Sequence, residues 1–260
     1  MILEVATVVE HRHFVASKAE SFHILKLRSP EIAVQAMPGQ FVMLRVNELF
    51  DPLLRRPFSI FHTEKDCLYL FYKVVGKGTS LMSQWSQGRE VSLLGPLGNG
   101  FGLPSKDVPW LVAGGAGIAP LFFLHHYLKH HGYRPKILWG LRYRISQELI
   151  DFLSKYLDNI VIYTEDGSLG YQGLVTEGVE KLYQITKPSK IYACGPIPML
   201  KSVYDWLKNK DIPMEVSLEA QMACGIGACL GCIIKGKEGY KKVCCEGPVF
   251  DAREIKWDEI

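Results

Sequence analysis

Cys224, Cys229, Cys232, Cys244 and Cys245 crowd into one short stretch of this chain, whereas Cys67 and Cys194 stand alone. The spacing is Cys224-x4-Cys229-x2-Cys232, followed by a fourth cysteine at 244 or 245. That is the order of thiolates that holds a plant-type [2Fe–2S] cluster. Gly225, Gly227, Ala228 and Gly231 lie between the ligands. Small residues let such a loop wrap closely and turn backbone N–H groups toward the sulfurs, which steadies negative charge there. A structural zinc site with four cysteines is the competing reading. Cys244 and Cys245 are neighbours, and in extended chain neighbouring side chains point to opposite faces. One of the two is therefore the expected ligand.

Three glycine turns could take a nucleotide. The run from Leu111 to Pro120 is an apolar strand, the turn Gly114-Gly115-Ala116-Gly117 and a helix start. A turn without side chains lets a pyrophosphate approach the backbone, and the helix N-terminus adds N–H groups and a favourable dipole. It is short of a full G-x-G-x-x-G fingerprint. Tyr192-Ala193-Cys194-Gly195-Pro196 and Thr164-Glu165-Asp166-Gly167-Ser168 end two further strands in the same way. In the first hundred residues, Arg55-Arg56-Pro57-Phe58-Ser59 places cations beside a strand start, and Lys73 precedes the turn Gly76-Lys77-Gly78-Thr79. Arginine suits a pyrophosphate, and a Gly–Thr turn offers N–H and hydroxyl donors. Read blandly, these are a surface pair and a hairpin turn. His125, His126, His130 and His131 crowd one helix without an H-E-x-x-H pattern and read as a solvated helix end.

These residues need elements to position them. From residue 1 to about 103 short alternating segments (Ile2–Val9, Phe22–Arg28, Gln40–Val46, Pro57–Phe61, Cys67–Val75, Glu90–Leu94) predict a small antiparallel β-barrel. Over 104–212 strands alternate with helices, which predicts a doubly wound parallel sheet. From 213 to 260 a Cys/Gly-rich tail follows. The expected class is therefore β plus α/β in three zones: barrel, nucleotide domain, cluster domain.

The bulk numbers agree with that size. The chain has 260 residues, 48% hydrophobic and 22% charged, with a formal net charge of +3. A surplus so small, without a basic block, argues against nucleic acid. The longest apolar run, Leu111–Leu124, is broken by glycines and a proline and is shorter than the ~20 residues of a membrane helix. Clustered cysteines without an export signal predict a cytoplasmic protein with no membrane partner.

With these residues in view, the chain resembles the electron-transfer subunits of class 1B dihydroorotate dehydrogenases, within the ferredoxin–NAD(P) reductase superfamily. Arg56-Pro57-Phe58-Ser59 looks like the superfamily's flavin element R-x-[YF]-S, and Gly114–Pro120 and Cys194-Gly195-Pro196 look like its nucleotide turns. The tail ending Val243-Cys244-Cys245-Glu246-Gly247-Pro248-Val249-Phe250 is the more specific likeness. The resemblance implies FAD at Arg56, Pro57, Phe58, Ser59, Phe71, Tyr72, Lys73, Gly78 and Thr79, and NAD at Gly114, Gly115, Gly117, Gly195 and Pro196. It implies a [2Fe–2S] cluster on Cys224, Cys229, Cys232 and Cys244, with Cys245 outside the ligand pattern. Ser59 is then expected near the flavin's reactive edge and Cys194 near the nicotinamide. The implied partner is an FMN-bearing dihydroorotate dehydrogenase catalytic subunit, in a heterotetramer, and the implied nucleotide is NADH, with Arg142 and Arg144 solvated. Two alternatives stand beside this reading. One is the small subunit of a sulfide dehydrogenase or ferredoxin–NAD(P)H transhydrogenase, whose cluster loop has a shorter C-G-x-C run. The other is a zinc-stabilised nucleotide-binding adaptor.

Overall fold

The computed structural model describes residues 1–15, 21–105 and 107–260. β1 (Ile2–Val15) buries Glu4, Ala6 and Val8 and exposes Leu3 and Val5 between them. That period of two marks a strand with one face on a core. β2 (Ser21–Arg28), α1 (Pro30–Gln35), β3 (Phe41–Leu44), β4 (Arg56–Glu64), β5 (Cys67–Lys73), α2 (Lys77–Met82) and β6 (Glu90–Leu97) follow. The six strands close into a barrel in the order β1-β2-β5-β4-β3-β6, so no edge is left open. Leu25, Leu27, Val42, Leu44, Ile60 and Leu70 fill it. The expected barrel is there, with β1 running past Val9 to Val15 across a register shift between Val8 and Glu10.

Two short helices went unread in the sequence. α1 starts where the buried Glu4 carboxylate accepts the N–H groups of Glu31 and Ile32, at 3.2 and 3.1 Å. α2 replaces the expected hairpin turn at Gly76–Thr79. Each is six residues long, too short to display a helical period.

The second half alternates as expected: β7 (Trp110–Gly114), α3 (Ile118–His130), β8 (Lys136–Leu141), α4 (Gln147–Ser154), β9 (Ile160–Thr164), β10 (Tyr171–Gln172), α5 (Val175–Ile185), β11 (Ile191–Cys194), α6 (Ile197–Leu207) and β12 (Met214–Ser217). A hairpin of β13 (Ile233–Gly236) and β14 (Gly239–Lys242) and then β15 (Val249–Asp251) complete the chain's strands. The sheet order is β10-β9-β8-β7-β11-β12-β15, parallel except for β15. β7 has β8 on one side and β11 on the other, so the winding reverses between β7 and β11. In an open α/β sheet ligands bind at the carboxyl ends flanking that reversal. The turns at Gly114–Gly117 and Gly195–Pro196 lie there.

The boundary expected at residue 212 falls just before β12. The 213–260 segment therefore lends two strands, β12 and β15, to the nucleotide sheet rather than standing off as a separate tail. The histidines of α3 also differ from expectation. His130 and His131 are exposed, but His125 is fully buried with neither ring nitrogen partnered among the described residues. α3 packs against β4 of the barrel through Phe122, Phe123 and His126, which meet Phe61 and His62, a contact invisible to a local reading.

Candidate redox site

Two cavities and one cysteine loop form the site. The first cavity, about 470 Å³, lies between the barrel and the start of the C-terminal segment. All nine flavin candidates line it: Arg56, Pro57, Phe58 and Ser59 from the start of β4, Phe71, Tyr72 and Lys73 from the end of β5, and Gly78 and Thr79 from α2. The two arginines divide their duties. Arg55 is clipped to β6, donating to the Ser92 carbonyl and Oγ at 2.8 Å each. Arg56 stays at the cavity wall, half-buried, where a polyanion gains a charge-assisted contact. The Thr79 hydroxyl is used locally, donating to the Gly76 carbonyl at 3.0 Å and accepting the Val75 N–H at 2.9 Å. It braces the turn instead of offering a free hydroxyl donor. Sequence reading missed Ser217, Glu219, Ala220 and Met222, which close the cavity's far side. They carry no motif, and only the return of β12 to the sheet brings them there.

The second cavity, about 450 Å³, sits at the carboxyl ends of β7, β8, β9 and β11. Gly114, Gly115 and Pro196 line it, as do Arg142, Tyr143 and Glu165 from the strand ends on its outer side. Gly117 lines neither cavity. A Cβ on it would lie 2.2 Å from the Cys194 carbonyl oxygen, so glycine is required for the turn to pack on β11. Trp139 Nε1 donates to the Gly115 carbonyl at 2.9 Å and fixes the same turn. The two cavities share Lys73 and Ala116 in their walls. The two cavities are therefore neighbours.

Cys194 ends β11 directly beside the Gly114–Gly117 turn. It is 1% exposed, lines neither cavity and sits beside Ser217 on the neighbouring strand. Burial pushes its thiol far above the ordinary range, so it stays protonated. Gly195 likewise lies off both walls, behind Pro196.

The cysteine loop docks on β3. A Cβ on Gly225 would stand 2.6 Å from Met43 Cγ, and Cys232 and Cys244 are buried in the cluster of apolar side chains that includes Met43 and Leu97. Cys224 is half-buried and Cys229 exposed. Backbone N–H groups aim at sulfur throughout: Ile226 and Cys229 at Cys224 (3.4 Å each), Gly231 at Cys229 (3.4 Å), Gly227 at Cys244 (3.1 Å) and Cys244 at Cys232 (3.4 Å). The Ile226 N–H leads in drawing the Cys224 thiol down to about 6, the state a metal ligand needs. Burial pushes the Cys244 thiol the other way, to about 12. Gly227 reaches its place with φ +83°, a left-handed turn that favours glycine. Cys245 is exposed and neither its sulfur nor its N–H joins that set, though its sulfur flanks the loop beside Gly227. Asn99 of the barrel holds this last turn, with its amide donating to the Glu246 carbonyl at 2.9 Å. The donor set thus fits a cluster: four cysteines under sulfur-directed N–H groups, two inward and two outward.

Residues 219–256 match the iron-sulfur cluster binding domain of dihydroorotate dehydrogenase B, and residues 111–205 match the oxidoreductase NAD-binding domain. The dihydroorotate dehydrogenase B (NAD(+)) electron transfer subunit of Desulforamulus reducens is 40% identical over 247 residues, spanning 92% of this chain and 94% of that protein. The chain belongs to this family of electron transfer subunits. The subunit of the same description from Geobacillus thermodenitrificans is 39% identical over 262 residues, 96% of each chain. Among solved structures, a chain of the NADH-dependent reduced ferredoxin–NADP oxidoreductase superposes with a TM-score of 0.85 at 28% identity, covering 98% of this chain and 91% of that one. A Neisseria gonorrhoeae ferredoxin NADP+ reductase with bound FAD and NADP superposes at 0.64 with 17% identity, covering 83% and 99%, which shows the shared fold. As a member of the family, the chain is an oxidoreductase subunit with a barrel, a nucleotide-binding sheet and an iron–sulfur segment in that order.

Proposed function

We propose that this chain passes electrons from an FMN-bearing dihydroorotate dehydrogenase catalytic subunit to NAD⁺, with FAD in the barrel cavity and a [2Fe–2S] cluster on Cys224, Cys229, Cys232 and Cys244. The observation that carries this reading is the wall the two cavities share at Lys73 and Ala116. Hydride transfer needs a flavin and a nicotinamide in contact, and cavities that adjoin at a shared wall support that pairing. When bound, the cluster supplies single-electron chemistry and the flavin converts single electrons into the pairs that nicotinamide accepts.

The chain's own residues supply place and field. Arg56 would neutralise the pyrophosphate of a bound FAD, and Phe58, Ser59 and Tyr72 would help hold it in the cavity they line. Gly114 and Gly115 admit the dinucleotide backbone. Cys194 takes a packing role under the Gly117 turn. We assign residues 1–103 to flavin, 104–212 to nucleotide and 213–260 to the cluster, and we place the heterotetrameric complex in the cytoplasm. Among the described residues, no helix is long and apolar enough to cross a membrane.

Glu165 shares the outer wall of the nucleotide cavity with Arg142. A carboxylate there accepts ribose hydroxyls and repels a 2′-phosphate, which favours NADH. Steady-state kinetics should give a higher kcat/KM for NADH than for NADPH, and Glu165→Gln should narrow the ratio. A parent preference for NADPH would reverse the choice.

The activity has a direct test. The isolated holoprotein should reduce artificial acceptors with NADH yet leave dihydroorotate untouched. Adding the purified FMN-bearing subunit should produce dihydroorotate-dependent NADH formation. Stable co-elution without that activity would redirect the assignment to a ferredoxin- or sulfide-linked complex, and failure to associate would sink it.

A further inference from the structure

Three histidines meet on the β1–β2 hairpin, away from the cysteine loop. His13 on β1 pairs directly with His23 on β2, and His11 lies two residues back on the same face. Their ring centroids are 4.4 Å (His11–His13), 4.6 Å (His13–His23) and 5.3 Å (His11–His23) apart. One nitrogen from each can be chosen so that all three lie within 4.8 Å of one another. Neither the flavin nor the nucleotide cavity uses any of the three.

The hydrogen bonds decide which nitrogens carry lone pairs. His11 Nδ1 is 3.0 Å from the Trp85 carbonyl oxygen, which can only accept, so Nδ1 bears the proton. His11 Nε2 is then a lone pair, and it accepts the Tyr72 hydroxyl at 3.0 Å. A ring N–H fixed by a backbone carbonyl, with the opposite nitrogen basic, is the arrangement that orients metal-ligating histidines. His23 is 2% exposed, and its Nδ1 is buried without a partner, while Nε2 reaches Ser21 Oγ at 3.2 Å. A buried N–H without an acceptor costs more than a bare lone pair, so the proton sits on Nε2 and Nδ1 is the basic atom. His13 is exposed and free to swing its ring toward the other two.

We propose that His11, His13 and His23 bind a divalent transition-metal ion of the zinc class, in a site separate from the cysteine cluster. Imidazole nitrogens suit zinc, with a metal–nitrogen distance of about 2.0–2.1 Å. Tetrahedral ligands at that distance stand roughly 3.3 Å apart, so the trio closes by rotation of His13 and small shifts of its neighbours. The ion takes the His11 lone pair from Tyr72 and satisfies the orphaned nitrogen of His23. Burial holds His11 and His23 below the ordinary imidazole range, His23 at about 4, so both are neutral ligands at physiological pH. Tyr72 stacks on His23 with centroids 4.9 Å apart and also walls the flavin cavity, so the ion lies one residue from that cavity.

Tag-free holoprotein with its cluster intact is titrated with Zn²⁺ in a calorimeter, and the loaded protein is measured by zinc-edge X-ray absorption. The expected result is one site of micromolar affinity or better, with nitrogen at about 2.0–2.1 Å and no sulfur at about 2.3 Å. His13→Ala, a surface change that leaves folding alone, should weaken it at least tenfold. The His130→Ala/His131→Ala double variant should bind as the parent does. Sulfur ligation, affinity unchanged in His13→Ala, or no binding below millimolar zinc would each overturn the proposal.

Discussion

At the scale of single residues, the pair Cys244-Cys245 poses the sharpest question, because adjacent thiols offer two registers for one ligand. Hydrogen bonding separates them. Cys244 is buried, receives the Gly227 N–H and gives its own N–H to Cys232, while Cys245 is exposed. A cluster ligand needs donors aimed at its sulfur, since these stabilise the charge that the cluster carries. Cys244→Ser should therefore abolish the visible and EPR signals of the [2Fe–2S] cluster, as should Cys224→Ser, Cys229→Ser and Cys232→Ser. Cys245→Ser should leave iron content nearly unchanged, and Cys67→Ser should do the same from the far side of the barrel. Loss of iron in Cys245→Ser with retention in Cys244→Ser would show that the register is the other one. Cys194 is a different case: its thiol is buried and its backbone carbonyl lies under the Gly117 turn.

At the scale of elements, α3 is where local and tertiary information part. Its sequence presents four histidines near one end, and nothing within the helix says which of them is covered. β4 of the barrel packs on α3 at Phe122, Phe123 and His126, a contact between residues about sixty positions apart in the chain. The strand and helix order, the barrel and the glycine turns were legible because period, glycine and β-branched runs are local signals. The helices α1 and α2 were not, being too short to display a helical period, nor were the return of β12 and β15 to the sheet and the burial of His125, which depend on packing beyond the local sequence. Burial of His125 has a measurable consequence. It pushes the imidazole down to about 4, against about 6.5 in the unfolded chain. The unfolded state therefore takes up the proton first, and stability that is whole above pH 6.5 drains as pH falls toward 4. For one such group the loss between pH 7 and pH 5 is about 1–2 kcal/mol. His125→Leu removes both unpartnered nitrogens and that proton site. Urea midpoints of the variant should fall less between pH 7 and pH 5 than those of the parent. An identical pH slope would mean that His125 is not the titrating group.

At the scale of the whole molecule, the barrel, sheet and cysteine loop converge so that the outermost redox group faces solvent. Cys232 and Cys244 sit inward against Met43 and Leu97, while Cys229 is exposed and the loop around it bears Ile226 and Leu230, 47% and 57% exposed. Leu230 also adopts φ +57°, a left-handed conformation that a leucine rarely takes. An apolar side chain held out to solvent on a strained backbone, beside an exposed cluster ligand, fits a surface completed by a partner. Electron transfer over short distance demands the same placement, because the partner's cofactor must approach the cluster. Leu230→Asp tests this cleanly, since aspartate tolerates the left-handed region and leaves the loop's fold alone. It puts a charge where a buried leucine contributes about 1.5–3 kcal/mol. The variant should keep its cluster spectrum and its NADH-dependent reduction of artificial acceptors. Its affinity for the FMN-bearing subunit should fall at least tenfold, with dihydroorotate-dependent NADH formation falling in step at limiting subunit and returning at higher subunit concentration. Undiminished affinity would place the interface elsewhere, the exposed run at Leu49, Phe50, Leu53 and Leu54 between β3 and β4 being the next surface to charge.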